Sequence, residues 1–436
     1  MSREMKHSGI PWIGEIPKEW GMIRIKRIFE IVGGNGFKDK YQGKISGDYP
    51  FYKTSDINGD CDYVSASSNY VDRDVVDIEN YNIVPMNSIV VSKIGAAMRK
   101  NHRKITACDC CIDNNLQALH PIRTIDDTKY LYYLLKVINF EWFDNNGTIP
   151  SVNNAKLKDL YVPWISLSEQ QKIASYLDKK CSEIDEMVVL QEKIIEELKA
   201  YKQSVITEAV TKGLNPDVPM KDSGIEWIGE IPESWEVCRM KNVAELFGRI
   251  GFRGYTSEDL NKDGEGAITL SPSNMLPMGM DYSNVTYLSW FKYHESPEIK
   301  IQNGDILMVK TGSSYGKVSY VEDLPKEATI NPQILRIVSK INSKYLGYYM
   351  QTTFFTYQVE GSVVGGTIPT ISQEKIYNFY VLLPPLSEQQ SIASYLDEKC
   401  SEIDNLISIK QSKIESLKEY KKSIIYEYVT GKKEVI

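Results

Sequence analysis

No apolar run in this sequence approaches the ~18 residues that a membrane-crossing helix needs. The opening residues, MSREMKHSGIPWIGEIP, lack the apolar core of a secretory signal, so a cytoplasmic protein with no membrane contact is expected. Histidine is scarce, at 4 residues, and the 7 cysteines are odd in number and unevenly spaced. A disulfide scaffold is thereby excluded, and reduced thiols are expected. Positive charge is not in excess either. A formal net charge of −7 rules out a protein that coats nucleic acid over its whole surface, though not one with local basic patches. What remains is an ordinary globular composition, 42% hydrophobic and 25% charged over 436 residues, enough for two or three domains with real cores.

The chain is duplicated. KHSGIPWIGEIPKEW at 6–20 returns as KDSGIEWIGEIPESW at 221–235, and LSEQQKIASYLDKKCSEID at 167–185 returns as LSEQQSIASYLDEKCSEID at 386–404. Ser8 and Ser223 are 215 residues apart and Leu167 and Leu386 are 219 apart, so the halves differ by only four residues net. Each half is a globular segment followed by a long helix free of Gly and Pro. Apolar residues recur at steps of three and four: Leu177, Ile184, Met187, Ile194, Leu198, Tyr201 and Val205, then Leu396, Ile403, Leu406, Leu417, Tyr420 and Ile424. That is a heptad-like stripe, interrupted by Gln191 and Lys410. A helix of ~40 residues is roughly 60 Å long and cannot bury a narrow stripe against itself. The most economical partner is its twin.

The ends of the globular segments match while their middles diverge. Gly33, Gly36, Phe37 and Lys38 correspond to Gly248, Gly251, Phe252 and Arg253; Gly147-Thr-Ile-Pro150 corresponds to Gly366-Thr-Ile-Pro369; Asn114 is paired with Asn331. Residues 88–92, 305–309, 334–338 and 161–164 read as strands, and 130–139 and 343–352 as short helices, which makes each segment mixed α+β. Ser168 and Ser387 are expected to cap the long helices, with Gln171 and Gln390 as return partners, and Gly213 and Gly431 to stop them. The boundaries expected are 1–166 and 214–385 for the globular domains and 167–213 and 386–436 for the helices.

Together, the duplicated PxWIGEIPxxW opening, the Gly-Thr-Ile-Pro element and the LSEQQxIAxYLD helix resemble the specificity subunit of type I restriction-modification enzymes, over essentially the whole chain. The resemblance implies two target-recognition domains held apart by an antiparallel coiled coil, with internal pseudo-two-fold symmetry. It also implies that each domain reads half of a bipartite DNA site, that the helices dock methyltransferase (modification) subunits, two of them, and that a motor-nuclease (restriction) subunit joins for cleavage. The chain itself would then be non-catalytic and without a cofactor. A coiled-coil scaffold that binds proteins and no DNA is the alternative.

The residues agree that no catalytic constellation is visible. The Asp/Asn-Pro-Pro-aromatic motif of an adenine methyltransferase is missing. Gly312-Ser-Ser-Tyr-Gly316-Lys317 has the wrong spacing for a phosphate-binding loop and no Ser or Thr after the lysine. Cys108, Cys110 and Cys111 have no second pair with which to hold zinc. Asp281, Glu298 and Lys300 mimic a nuclease set only loosely.

DNA contact has more support. Lys93, Arg99, Lys100, Arg103 and Lys104 lie in one stretch, 93–104, free of acids, suited to phosphates and, for Arg, to guanine. Lys310, Thr311, Ser313 and Lys317 take the matching place in the second half, and Gly95 and Gly312 permit close backbone approach. Lys38, Lys40 and Tyr41, with Arg249, Arg253 and Tyr255, form a second pair of candidate loops. A solvated surface turn accounts for the 93–104 run equally well, and for the others more simply; the resemblance favours DNA for all of them.

Overall fold

The computed structural model describes residues 3–59, 61–123, 126–261, 264–362 and 369–435. Gly366, Thr367 and Ile368 of the second Gly-Thr-Ile-Pro element lie outside the described residues, as does the Phe252 side chain. The chain divides into two compact units, Met1–Gln191 with Ser412–Ile436, and Glu192–Gln411. Each unit therefore holds one globular segment and half of each long helix. Among the described residues no helix is long and apolar enough to cross a membrane.

In the first unit five strands form one sheet, in the order Phe29–Gly33, Leu116–Pro121, Ile89–Ser92, Arg103–Thr106, Tyr63–Val64. All pairs are antiparallel except the last. Ile89–Ser92 is buried along its whole length, as a central strand covered on both faces must be. A smaller sheet, Cys111–Ile112, Tyr49–Tyr52 and Tyr70–Val71, joins its first two strands in parallel. In the second unit the main sheet runs Ala244–Gly248, Ile334–Ser339, Ile306–Val309, Val318–Tyr320, the same order without the fifth strand. Its small sheet again carries a parallel pair, Ala267–Leu270 with Ala328–Ile330. The strands expected from sequence are all present. The short helices are Thr128–Lys136 and Ser343–Tyr349.

The long helices are Leu167–Lys212 and Leu386–Val429. Each stops at a glycine in the left-handed region, Gly213 at φ 78° and Gly431 at φ 71°, as expected. The expected caps are corrected. Both helices begin before Ser168 and Ser387; Ser166 Oγ accepts from the Glu169 N–H at 3.3 Å, and Pro385 stands at the equivalent place in the twin.

Within each unit the two half-helices pack antiparallel. In the first unit the rings of Tyr176 and Tyr428 lie 4.5 Å apart, and Lys421 donates to both Asp185 oxygens at 2.6 Å. In the second, Lys202 donates to Asp404 at 2.6 and 2.7 Å. The two ion pairs occupy the same place in the repeat. The buried seam steps by three and four through Ala174, Leu177, Cys181, Ile184, Gln191, Ile195, Val205 and Ala209, and in the twin through Ala393, Leu396, Cys400, Ile403, Ile414, Ile424 and Tyr428. Half-buried Val188, Leu198, Lys202, Ile407, Lys410, Leu417 and Lys421 complete it. Part of the expected stripe is corrected: Met187 (49%), Tyr201 (58%), Leu406 (45%) and Tyr420 (54%) are exposed. Each helix carries a second apolar stripe beside the seam; Gln191 and Lys410 interrupt the seam as expected, and Cys181, Cys400, Lys202 and Lys421 take seam positions that an apolar pattern passes over.

The seam ends inside the cores of the globular segments. Leu177, Ile184, Ile424 and Val429 pack with Trp20, Tyr130, Leu134 and Phe140 in the first unit. Val210, Ile206, Leu396 and Cys400 pack with Trp235, Tyr345, Tyr349 and Phe355 in the second. Burying each such Leu or Ile contributes roughly 1.5–3 kcal/mol, so rod and globular segment share one core in each unit.

Candidate nucleic-acid interface

A lysine laid across a glycine marks the same corner of both units. In the first unit the central strand Ile89–Ser92 delivers Lys93 to the end of strand Phe29–Gly33, where a Cβ on Gly33 would lie 4.0 Å from the lysine Nζ. In the second, Ile306–Val309 delivers Lys310, whose Nζ lies 3.2 Å from where a Gly248 Cβ would stand. Each chain then turns at a glycine of positive φ, Gly95 at 72° and Gly312 at 104°. Each turn is pinned to the Gly-Thr-Ile-Pro element: the Gly95 N–H donates to the Pro150 carbonyl at 2.8 Å, and the Gly312 N–H to that of Pro369 at 3.1 Å. The Val152 N–H closes onto the Lys93 carbonyl and the Ile371 N–H onto that of Lys310, both at 2.9 Å. The prolines that close the duplicated motif, with Val152 and Ile371 just after them, are thus the strap that shapes the candidate loop.

A third segment completes the corner. The Lys93 N–H donates to the Asn115 carbonyl at 2.9 Å, and the Lys310 N–H to that of Gln333 at 2.8 Å. Asp113 and Asn331 cap these two turns, accepting from the Asn115 and Gln333 N–H groups at 2.8 and 3.0 Å. The counterpart of Asn331 is therefore Asp113, not the expected Asn114, because Asn331 stands 21 residues after Lys310 whereas Asp113 stands 20 after Lys93.

Among the described residues neither the Lys93 nor the Lys310 ammonium has an ion-pair partner. Burial pushes the Lys310 ammonium below its ordinary value, since half-removing a charge from water disfavours it. An unneutralised, partly desolvated cation is a site that an anion completes. Exposed Lys100 and Arg99 flank Lys93, Arg99 lying 3.6 Å from Glu141. Exposed Ser313 and half-buried Thr311 flank Lys310.

Other expected contacts are placed elsewhere. Arg103, 6% exposed, points into the core, where its guanidinium donates to the Asn101 side chain at 2.8 Å and to the Ile138 carbonyl, and lies over the Phe140 ring. Burial brings its pKa down to about 9. Lys104 is also buried. Arg249, 6% exposed, donates to the Thr329 hydroxyl at 3.0 Å and the Ile330 carbonyl at 3.2 Å. These arginines tie loops to the sheets and are not on an accessible face, which corrects their expected role. Lys317 donates to the Pro272 carbonyl at 3.1 Å.

Lys38, Lys40 and Tyr41 gather on one carboxylate. Lys38 and Lys40 pair with Glu79, Lys40 at 3.4 Å, and the Tyr41 hydroxyl donates to it at 3.0 Å. The Lys38 hydrogen bond leads in holding the Glu79 carboxyl below its ordinary range. Arg253 pairs with Glu298 at 3.4 Å, and the Tyr255 hydroxyl meets that of Thr269 at 3.4 Å. Glu298 is thus engaged by Arg253, Asp281 by the Ser283 N–H and Lys300 by His294, so the loose nuclease-like set is occupied separately. Burial pushes the Cys111 thiol up to about 12. Among the described residues no group of His, Cys, Asp and Glu is arranged to hold a metal ion.

Two amides were missed from the sequence. The Gln333 Nε2 lies 3.3 Å from where a Gly312 Cβ would stand, and the Gln373 Nε2 lies 2.9 Å from that of Gly248. Both surround Lys310, and glutamine is the side chain suited to adenine N6 and N7. Their signal was position: Gln333 lies in the turn that Asn331 caps, and Gln373 opens the short helix two residues past Ile371.

Residues 17–200 and 232–419 each match the family described as type I restriction modification DNA specificity domain. The chain is 25% identical over 432 residues to the type I restriction enzyme MjaVIII specificity subunit of Methanocaldococcus jannaschii, covering 96% of this chain and 93% of that one. It is 27% identical over 433 residues to the putative MjaX specificity subunit of the same organism, covering 96% and 95%. A chain from a structure concerned with complex assembly and conformational transition of the type I R-M system superposes with a TM-score of 0.69 at 15% identity, covering 95% of this chain and 98% of that one.

Proposed function

Since this chain belongs to the type I restriction-modification DNA specificity family, as a DNA-recognition and not a catalytic subunit, we propose that its two units read the two halves of a bipartite duplex site in the cytoplasm. The long helices set the length of the unread spacer, since each runs from one unit into the other. The observation that carries this reading is the repeated corner, a lysine over a glycine with no ion-pair partner among the described residues, beside a strapped loop and framed by different side chains in each unit: Asn115, Arg99 and Lys100 in one, Gln333, Gln373 and Ser313 in the other. The lysines meet phosphates, and the amides and Arg99 meet base edges. Half-sites read from one face of the duplex lie about one helical turn, ~10 bp, apart. Equilibrium binding tests the reading. The expected result is salt-dependent affinity for a duplex carrying both half-sites, at least ~10³-fold above a scrambled duplex. Equal affinity for both duplexes would leave only the protein-scaffold alternative.

The same helices dock the methyltransferase subunits, two of them, and through these the motor-nuclease subunit. Support comes from the second apolar stripe. Met187 and Leu190 in the first unit and Leu406 and Ile409 in the second are exposed, and they stand at equivalent places in the repeat. Exposed apolar side chains beside an occupied seam mark an interaction surface. Leu190→Glu and Ile409→Glu are each expected to weaken capture of a methyltransferase subunit by about 30-fold, the loss of a central apolar anchor. Sedimentation of the mixed subunits checks this; full assembly by the double variant would sink it.

A further inference from the structure

One set of contacts is repeated in both units although the globular segments around it diverge. In the first unit Lys129, at the start of helix Thr128–Lys136, donates to Asp178 of the long helix at 3.0 Å and to Asp62 of the globular segment at 2.9 Å. The Tyr133 hydroxyl, one turn on, donates to the same Asp178 at 2.7 Å. In the second unit Lys344 donates to Asp397 of the long helix at 2.8 Å and pairs with Glu322 at 2.6 Å, and the Tyr348 hydroxyl donates to Asp397 at 2.8 Å. Two further contacts repeat beside it. Gln170 accepts from the Asp127 N–H at 2.8 Å and Gln389 from the Asn342 N–H at 3.0 Å. The Trp20 indole donates to Glu169 at 3.0 Å and the Trp235 indole to Glu388 at 2.9 Å.

The acid on the globular side is not a duplicate. Asp62 precedes strand Tyr63–Val64, whereas Glu322 follows strand Val318–Tyr320. Two unrelated loops of the divergent middles therefore bring a carboxylate to the same lysine. Burial alone would raise the Asp62 carboxyl, but the Lys136 and Lys129 ammoniums and the Tyr132 hydroxyl hold it down at about 2. The Asp62 carboxyl is therefore charged at physiological pH. Shared hydrophobic core holds the segment to the helix, but apolar packing is non-directional. Charge-assisted hydrogen bonds of fixed geometry supply the direction that packing lacks.

We propose that Lys129 with Asp178 and Asp62, and Lys344 with Asp397 and Glu322, are positioning residues that fix the rotation of each reading segment about its long helix, and so the phase at which its half-site is accepted. This rests on the reading of the units as two half-site readers. Severing the bridge in one unit leaves the base-contacting loops intact and loosens that segment's rotation, which the Gln and Trp contacts and the shared core then hold alone.

The test uses the complex reconstituted with its modification subunits and a set of duplexes whose spacer is the native length or one base pair longer or shorter. The parent is expected to methylate the native spacer alone. Asp178→Ala and Asp397→Ala are each expected to raise methylation of the off-length duplexes at least fivefold, with the bases required in each half-site unchanged and with Asp178→Glu restoring strict spacing. Asp62→Asn and Glu322→Gln cut the bridge on the globular side, sparing the long helix, and keep the test decisive where an Ala variant misfolds. Strict spacing in all folded variants would overturn the inference. A parent that shows no bipartite requirement at all would instead overturn the reading beneath it.

Discussion

Lengthening both long helices by seven residues, between Gln191 and Glu192 and between Gln411 and Ser412, is expected to lengthen the recognised spacer by about three base pairs. Seven helical residues add about 10 Å, and a base pair rises 3.4 Å. Both insertion points lie where the chain passes from one unit to the other, so neither globular segment is touched. Seven is the number the seam dictates. Its buried positions alternate by three and four, so a whole heptad restores the phase, and inserting into both helices keeps the twins matched. Four residues in one helix add ~6 Å but leave a stutter in the seam and helices of unequal length, so that variant is expected to shift the spacer with lower occupancy. Half-site sequences stay as they were. Methylome sequencing of a host carrying the lengthened chain reads both quantities at once, and an unchanged spacer would remove the long helices as the ruler.

Lys93→Met and Lys310→Met carry the second large effect. Each is expected to lower affinity for the bipartite duplex about tenfold, ~1.4 kcal/mol, and to reduce the slope of log affinity against log salt by about one. Methionine keeps the apolar stem over Gly33 or Gly248 and removes only the charge. The fold is expected to tolerate the change, because neither ammonium has an ion-pair partner among the described residues. Arg103→Met is the contrast. It removes the Arg103 donors from the Ile138 carbonyl and the Asn101 amide oxygen, which keep only the longer bonds from Asn101 Nδ2 at 3.4 Å and the Phe140 N–H at 3.3 Å, so stability falls by about 1–3 kcal/mol while the folded fraction keeps its salt slope. Titration of the three variants by fluorescence anisotropy across salt concentrations separates the roles. An unchanged slope for both lysine variants would remove the corner as the phosphate contact.

The comparison of Lys93 with Arg103 shows where the sequence stops being informative. Both sit in one run of cations without an acid, and nothing in the run separates them. What does is the sheet. Arg103 falls on a strand buried along its length, whereas Lys93 falls one residue past the end of its neighbour, where the chain has left the sheet. Strand ends are the least legible feature of a sequence, so the loop was found and its inward residues were not. The helices tell a similar story. Duplication, absence of Gly and Pro, and terminal glycines made their existence and C-terminal ends plain, while the capping residues at their starts were misplaced. The face they bury was only half visible, because Met187 and Leu406 are as apolar as Val188 and Ile407 and differ from them by one position. Only the opposing helix decides between adjacent stripes. The positioning bridge was illegible for another reason: its two globular-side acids, Asp62 and Glu322, come from places in the chain that do not correspond.

The most direct test of two readers on one ruler is the methylome of a host with and without this chain. Adenine or cytosine methylation is expected at a motif of two short defined halves flanking an undefined gap of constant length, and is lost when the chain is deleted. A single uninterrupted motif, or a methylome that does not change on deletion, would contradict it.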